Sequence, residues 1–360
     1  MHVHVVSHIA DLDGLMSALL IKQAEEISGN SVTVRFADYY DYLEKIAQAE
    51  GDKIYVADLG IDPLTQPSFK KTMMEKGRRA QVIYIDHHPD DPQVLTHLAQ
   101  SGTTVVHSRE DCAGVLTYDH LKDLLPSRYF LYAVYAAIGD HMERGKLAAP
   151  LMEKADAILA YFEASLLTLG LVQDDEAQRL RLLEALARDP YYHDPELVQP
   201  ALRQIEAVSS FISKIQGLSP TASGRFSWLA AEADFFTGRA AHVMLQELPL
   251  KISVAYRLDL ARNEYQISLR RAEGVQVDLG ARVPQENLGC FLSQIGELLA
   301  CFQEAKPSTP SNQPESRNPR RPKAFSSCET RPSSDRRTDQ SSHQRQTRHL
   351  TRIFLRLPSP

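Results

Sequence analysis

Gln81-Val82-Ile83-Tyr84-Ile85-Asp86-His87-His88 is the stretch on which the reading of this chain turns. A short apolar run of β-branched and aromatic residues, closed abruptly by polar groups, has the length and composition of a strand buried on both faces. Its polar end is a carboxylate followed by two imidazoles. The same grammar recurs upstream. Lys53-Ile54-Tyr55-Val56-Ala57 ends in Asp58, and the run His2–Ser7 opens into His8-Ile9-Ala10-Asp11-Leu12-Asp13-Gly14.

Working outward, strands are expected at His2–Ser7, Ser31–Ala37, Lys53–Ala57, Gln81–Ile85 and Thr103–Val106. Amphipathic patterns between them predict helices over Gly14–Ile27, Tyr42–Ala49, Pro67–Lys76, Pro92–Ser101 and Ala113–Leu124, with a buried helix near 127–138. Strand–helix alternation at this spacing defines an α/β class: a mostly parallel sheet with helices on both faces. This first domain is expected to span residues 1–150. A charged, helical stretch follows and reads as a connector over 151–222. A smaller α/β domain over 223–284 holds a strand at FSWLAAEA, a helix over Thr237–Glu247, and ISVAYRLDL and EYQISLRR as antiparallel strands joined at Ala261-Arg262-Asn263. The remainder, 285–360, is a basic tail rich in Pro, Ser, Arg and Gln from Lys306 onward. Such a composition cannot bury a core and is expected to be disordered.

Charge is unevenly distributed. From Lys306 to the end, 12 Lys and Arg face 4 Asp and Glu, a local +8, so residues 1–305 hold −14 within the overall −6. An acidic body does not suit coating long duplex DNA by counterion release. It suits a small phosphorylated ligand if cations supply local positive charge. The four cysteines form no CxxC pair, which points to neither a zinc cluster nor a disulfide framework. The first residues carry no basic, apolar leader pattern, and no run approaches the ~18 apolar residues of a membrane span, so a cytoplasmic protein with no membrane partner is expected.

Four places concentrate ligand-type side chains: His8 to Gly14, Asp58, Asp86-His87-His88, and Gly139-Asp140-His141. Singly, each has an ordinary explanation, since an Asp at a strand end is usually a turn residue or helix N-cap. Asp-x-Asp-Gly is also the start of a calcium loop, but no bidentate Glu follows at the loop's end. Taken together they converge, because side chains at the carboxyl ends of parallel strands meet in one crevice. Five carboxylates and up to four imidazoles there would repel and shift one another unless cations were present. Mixed imidazole and carboxylate ligation suits two divalent ions, Mn2+ first, with Mg2+, Fe2+ or Zn2+ as alternatives. Two ions about 3.5–4 Å apart can share a carboxylate, activate a water and stabilise a phosphoester's leaving oxygen.

These motifs, in this order, resemble the DHH phosphoesterase superfamily, which includes RecJ-type exonucleases, oligoribonucleases of the NrnA and NrnB type, and cyclic-dinucleotide phosphodiesterases. Asp86-His87-His88 is the eponymous triplet, SHIADLDG resembles the first motif, VADLG the second and AAIGDH the fourth. The resemblance implies that His8, Asp11 and Asp58 hold one metal and that Asp13, Asp58, His87 and Asp140 hold the other, with Asp58 bridging. It implies that His88 faces the scissile phosphate and that Asp86 orients the histidines. His141, beside Asp140, and His107, at a strand end, are candidates for substrate contact or for a structural role.

Residues 224–283 resemble the start of the DHH-associated C-terminal domain, whose strand ending in Ser-x-Arg places a substrate-binding Arg at Arg270. The family domain then runs into a Gly-Gly-x-His segment. Here the chain reads AEGVQVDLGARVPQENLGCFLSQ, so the domain looks truncated or frameshifted near Arg282–Gln285. A genuine basic extension is the competing explanation. The resemblance implies a metal-dependent phosphoesterase acting on short oligonucleotides or small nucleotides, with a homodimer as a compatible assembly. A catalytically impaired RecJ-like scaffold and a pyrophosphate or polyphosphate hydrolase are the alternatives.

Overall fold

The computed structural model describes residues 1–171, 175–189, 195–259, 264–272, 274–275 and 351–356. They fall into two compact units, Met1–Ala207 and Val208–Pro360.

In the first unit, β1 (His2–His8), α1 (Leu12–Ile27), β2 (Ser31–Ala37), α2 (Tyr42–Gln48), β3 (Lys53–Ala57), α3 (Gln66–Gly77), β4 (Gln81–Asp86), α4 (Pro92–Gln100) and β5 (Thr104–His107) alternate along the chain. Then come α5 (Ala113–Leu121), α6 (Phe130–Gly139), α7 (Ala148–Lys154), α8 (Ala157–Gly170), α9 (Glu176–Arg188) and α10 (Pro195–Gln216), which runs past the boundary between the units. The five strands form one sheet in the order β2-β1-β3-β4-β5, and every pairing is parallel.

The sheet is covered on both faces, as the apolar strand runs require. Alternate residues of a strand face opposite ways. Tyr55, Ala57, Ile83 and Ile85 join α1, α5 and α6 in one core, while Ile54, Val56, Val82 and Tyr84 join Tyr42, Ile46, Phe69, Met73, Val94 and Leu98 of α2, α3 and α4 in the other. Burying each such aliphatic or aromatic side chain contributes about 1.5–3 kcal/mol. The helical stretch after Leu147 packs here too: α8 lies against α6, and α9 against α1 and β2.

Strand order reverses between β1 and β3, because β2 lies on one side of β1 and β3 on the other. Crossovers leave the sheet in opposite directions at such a point and open a crevice above the strand ends. His8 closes β1 and Asp58 directly follows β3, so both sit at that crevice.

In the second unit, β6 (Thr221–Ser223), β7 (Phe226–Glu232), α11 (Thr237–Glu247), β8 (Ile252–Asp259), β9 (Glu264–Arg271) and β10 (Thr351–Arg356) make a sheet in the order β10-β9-β8-β7-β6. Only β7 and β8 run parallel; β8 and β9 are antiparallel, with Ser253 opposite Arg270. α11 packs on β8 and β9 and buries Ala240, Ala241 and Met244, and Ile252, Val254, Ile267 and Leu269 of those two strands are likewise buried. The expected turn at Ala261-Arg262-Asn263, the expected frame change at Arg282–Gln285 and most of the basic tail lie outside the described residues. One described piece of that tail, β10, pairs antiparallel with β9.

Candidate metal centre

Every strand of the first sheet ends in a potential ligand. Asp38 follows β2, His8 ends β1, Asp58 follows β3, Asp86 ends β4 with His87 and His88 after it, and His107 ends β5. Helix ends supply the rest. Asp11 is the N-cap of α1, its Oδ1 accepting from the Gly14 N–H at 3.1 Å, and Asp13 lies in the same first turn. Asp140 caps the C-terminal end of α6. Gly14 is there for space: a Cβ on it would lie 2.1 Å from the His8 carbonyl oxygen. Gly60 similarly lets the loop after Asp58 pass His88, whose Cβ would be 2.7 Å from an added methyl carbon.

The structure brings His8, Asp11 and Asp58 together, with one ligand atom of each within 4.8 Å of the others; Asp13, His87 and Asp140 form a second such group, and Asp58, His87 and His88 a third. His8 Nδ1 is 3.0 Å from Asp11 Oδ2 and 3.5 Å from Asp58 Oδ2, close ion-pair contacts that lack the alignment of a good hydrogen bond, and both His8 ring nitrogens and Asp58 Oδ2 are buried. On the other side, His87 Nε2 faces Asp58 Oδ1 at 3.4 Å, Asp140 Oδ2 at 3.6 Å and Asp13 Oδ2 at 3.7 Å. Those separations exceed hydrogen-bond lengths. Buried polar atoms without hydrogen bonds are costly, and lone pairs turned toward shared gaps are what cation ligands require. The donor set therefore fits divalent ions.

Electrostatics point the same way. Burial and the neighbouring Asp58 and Asp140 charges push the Asp13 carboxyl well above its ordinary range, against the opposing His87. Burial likewise raises Asp140 to about 6, against His87 and with the help of Asp11 and Asp58. The C-terminal end of a helix also repels a carboxylate. Burial disfavours a charged His87, but Asp140, Asp58 and Asp13 outweigh it and hold the ring protonated well above its usual range. Burial opposes charge at His8 too, and Asp11 and Asp58 reverse it in the same direction.

Asp86 and His88 play a different part. Asp86 Oδ1 accepts from His88 Nδ1 at 2.9 Å and Oδ2 accepts from the His88 N–H at 2.9 Å. His88 Nε2 lies 3.3 Å from the Tyr39 hydroxyl. His107 Nε2 donates to the His88 carbonyl at 2.8 Å, a role in holding the triplet's backbone. His141 is exposed, with a backbone φ of 58°, beside Asp140. Arg270 belongs to β9 of the second unit.

Three features escaped the sequence reading. Asp38 is 4% exposed and places Oδ1 3.9 Å from His8 Nε2; its position after a strand end, like Asp58's, was the available signal. Asp13 caps α5 from a distance, accepting from the Ala113 N–H at 2.9 Å and the Gly114 N–H at 2.7 Å. Tyr39 sits edge-on to both His8 and His88, with ring centroids 5.6 and 6.4 Å away.

No family model and no curated protein sequence matches this chain. Among solved structures, it is similar to Thermus thermophilus RecJ in complex with Mn2+, at 14% identity over 77% of this chain and 45% of that one, TM-score 0.47. This chain thus spans less than half of that RecJ's length. It is also similar to the DHH domain of a member of the s1p family of ribosomal proteins, at 14% identity over 76% of this chain and 74% of that one, TM-score 0.49. A third likeness is to the pGpG-specific phosphodiesterase PggH from Vibrio cholerae, at 13% identity over 82% and 89% of the two chains, TM-score 0.44. No helix among the described residues is long and apolar enough to cross a membrane.

Proposed function

We propose that this chain is a two-metal phosphoesterase acting on short oligonucleotides or small nucleotides. The observation that carries the reading is the pair of gaps around Asp58. On one side the buried His8 ring lies against Asp11 Oδ2 at 3.0 Å and Asp58 Oδ2 at 3.5 Å without well-aligned hydrogen bonds; on the other, His87 Nε2 faces three carboxylates. His8, Asp11 and Asp58 would hold one ion, and Asp13, Asp58, His87 and Asp140 the other, Asp58 offering one oxygen to each side. Mn2+ best suits this mixture of imidazole and carboxylate, with Mg2+ as the alternative. Bound there, divalent ions supply Lewis-acid polarisation of a phosphoester and neutralise its charge.

The chain's own residues do the rest. Asp86 fixes the ring of His88, so that His88 presents Nε2 to a phosphate oxygen in a defined orientation. Tyr39 lies against that nitrogen and limits how the ring can turn. Asp13 is held by two α5 amides, so its position does not depend on the ion. Arg270 and His141 are assigned to substrate contact, a forked guanidinium being well matched to phosphate.

The test is hydrolysis of a dinucleotide, a 3′,5′-bisphosphonucleoside, a cyclic dinucleotide and pyrophosphate by the full-length protein, with Mn2+ and with chelator. Mn2+-dependent turnover of a nucleotide substrate is expected, abolished in Asp58→Ala. Near-wild-type Mn2+-dependent activity in that variant overturns the site. Normal metal binding without turnover of any substrate turns the reading toward a scaffold, and turnover of pyrophosphate alone toward a pyrophosphatase.

A further inference from the structure

The four ligand motifs do not explain how the loop carrying His8 and Asp11 is held in place. The residues that hold it lie on α9, far along the chain. Arg179 has no exposed surface, and its Nε donates to the Ile9 carbonyl at 2.9 Å. The Ile9 N–H in turn donates to the Ala37 carbonyl at 2.9 Å. The residue directly after His8 is therefore gripped through both its N–H and its carbonyl. Arg179 Nη1 donates to Gln178 Oε1 at 3.1 Å, and Gln178 Nε2 donates to the Gly170 carbonyl at 3.1 Å, which fixes the guanidinium from behind.

Three residues earlier on the same helix, Glu176 Oε1 accepts from the Phe36 N–H at 2.9 Å and from Arg35 Nε at 3.0 Å. Residues three apart share a helix face. One face of α9 thus holds the carboxyl ends of both β1 and β2, the strands that deliver His8 and Asp38.

Burying a guanidinium is costly until its charge and donors are compensated. A Met or Leu would fill a helix contact at lower cost. Among its contacts, Arg179 adds a charge-assisted hydrogen bond to the carbonyl of Ile9, between His8 and Asp11, and such bonds are about twice as strong as neutral ones. We propose that Arg179, seconded by Glu176, is a positioning residue for the His8–Asp11–Asp58 site: by fixing the Ile9 peptide it sets how tightly that site holds a divalent ion. The inference rests on the metal reading of the rim given above.

The test is calorimetric titration of the full-length protein with Mn2+, alongside thermal melting. Wild type is expected to take up two ions; if it takes up none, the metal reading itself fails, before any variant is made. Arg179→Met is expected to weaken one ion about 10- to 100-fold and leave the other unchanged, with Arg179→Lys recovering part of the loss. In a His8→Ala background, where that site is already lost, Arg179→Met should leave the remaining ion unaffected. A purely structural arginine would lower the melting temperature without this selectivity. Unchanged affinities for both ions, or equal weakening of both, overturn the proposal. If Arg179→Met does not fold, Glu176→Ala carries the test: selective weakening of one ion supports the proposal and unchanged binding of both overturns it.

Discussion

Asp86 holds the backbone and the ring of a single residue, His88: one carboxylate oxygen takes the N–H at 2.9 Å and the other takes Nδ1 at 2.9 Å. A carboxylate only accepts, so Nδ1 carries the hydrogen and Nε2 is the nitrogen turned toward Tyr39 and the rim. Burial alone would raise the Asp86 pKa, but the charges of His88 and His87 and the hydrogen bonds from His88 outweigh it and keep the carboxyl ionised far below its ordinary range. Asp86→Asn keeps the shape and removes one acceptor. It should lower kcat about 10- to 100-fold while Mn2+ affinity, read by calorimetry, stays near wild type.

Asp58 has φ 57°, a left-handed conformation that costs a non-glycine residue about 1–2 kcal/mol. Strained residues of this kind cluster at functional sites, and under the proposed function Asp58 would face both ion sites. Asp58→Gly and Asp58→Ala should both abolish Mn2+-dependent hydrolysis. Of the two, the glycine variant should be the more stable, by about 1 kcal/mol in urea unfolding. Equal stabilities would show that the backbone at this position is not strained.

Gly14→Ala would set a methyl group 2.1 Å from the His8 carbonyl oxygen, which is backbone and cannot rotate away. The α1 N-terminus must shift, and Asp11 and Asp13 with it. Destabilisation of about 1–3 kcal/mol is expected in urea, together with weaker Mn2+ uptake than wild type.

The metal-free protein should lose stability as pH rises. His8 and His87 titrate above their unfolded value, so their contribution is complete below the unfolded pKa of about 6.5 and is lost as pH climbs through the folded pKa. Asp13 and Asp140 are also raised, Asp140 to about 6. The folded state then binds more protons than the unfolded one from about pH 4 upward, which gives the same sign. In chelator, the melting temperature should fall between pH 6 and pH 8. Saturating Mn2+ should raise it more at pH 8 than at pH 6, because the ion replaces protons already gone. A metal-free melting temperature that climbs over this interval would contradict the arrangement of charges.

Arg270→Ala addresses the substrate assignment. Losing a charged hydrogen bond to phosphate should raise KM about tenfold or more with kcat little changed. An unchanged KM would leave Arg270 a strand residue of the second unit with no part in binding.

The strands were legible because a strand buried on both faces must be apolar throughout and must stop where its polar residues begin. Ser31–Ala37 and Lys53–Ala57 keep the bounds read from the sequence, and β1, β4 and β5 shift by a single residue at one or both ends. Helix α6 starts at Phe130, later than its apolar pattern, because Pro126 leads into a tight turn over Ser127–Tyr129 first. Asp86, His87 and His88 announced themselves by crowding one strand end. Asp38 did not, since a lone Asp before two tyrosines has the look of a turn residue.

The sequence by itself determined which residues end the strands, and hence that carboxylates and imidazoles meet at one rim. The tertiary structure alone decided how they meet. Strand order puts β1 beside β3, so His8 and Asp58, fifty residues apart, become neighbours across the crevice. α5 turns its first amides onto Asp13, and α9 brings a buried arginine to the Ile9 carbonyl. Periodicity records which face of an element is buried, a local property. Which partner a polar atom finds depends on contacts between distant segments, and these leave no period to read.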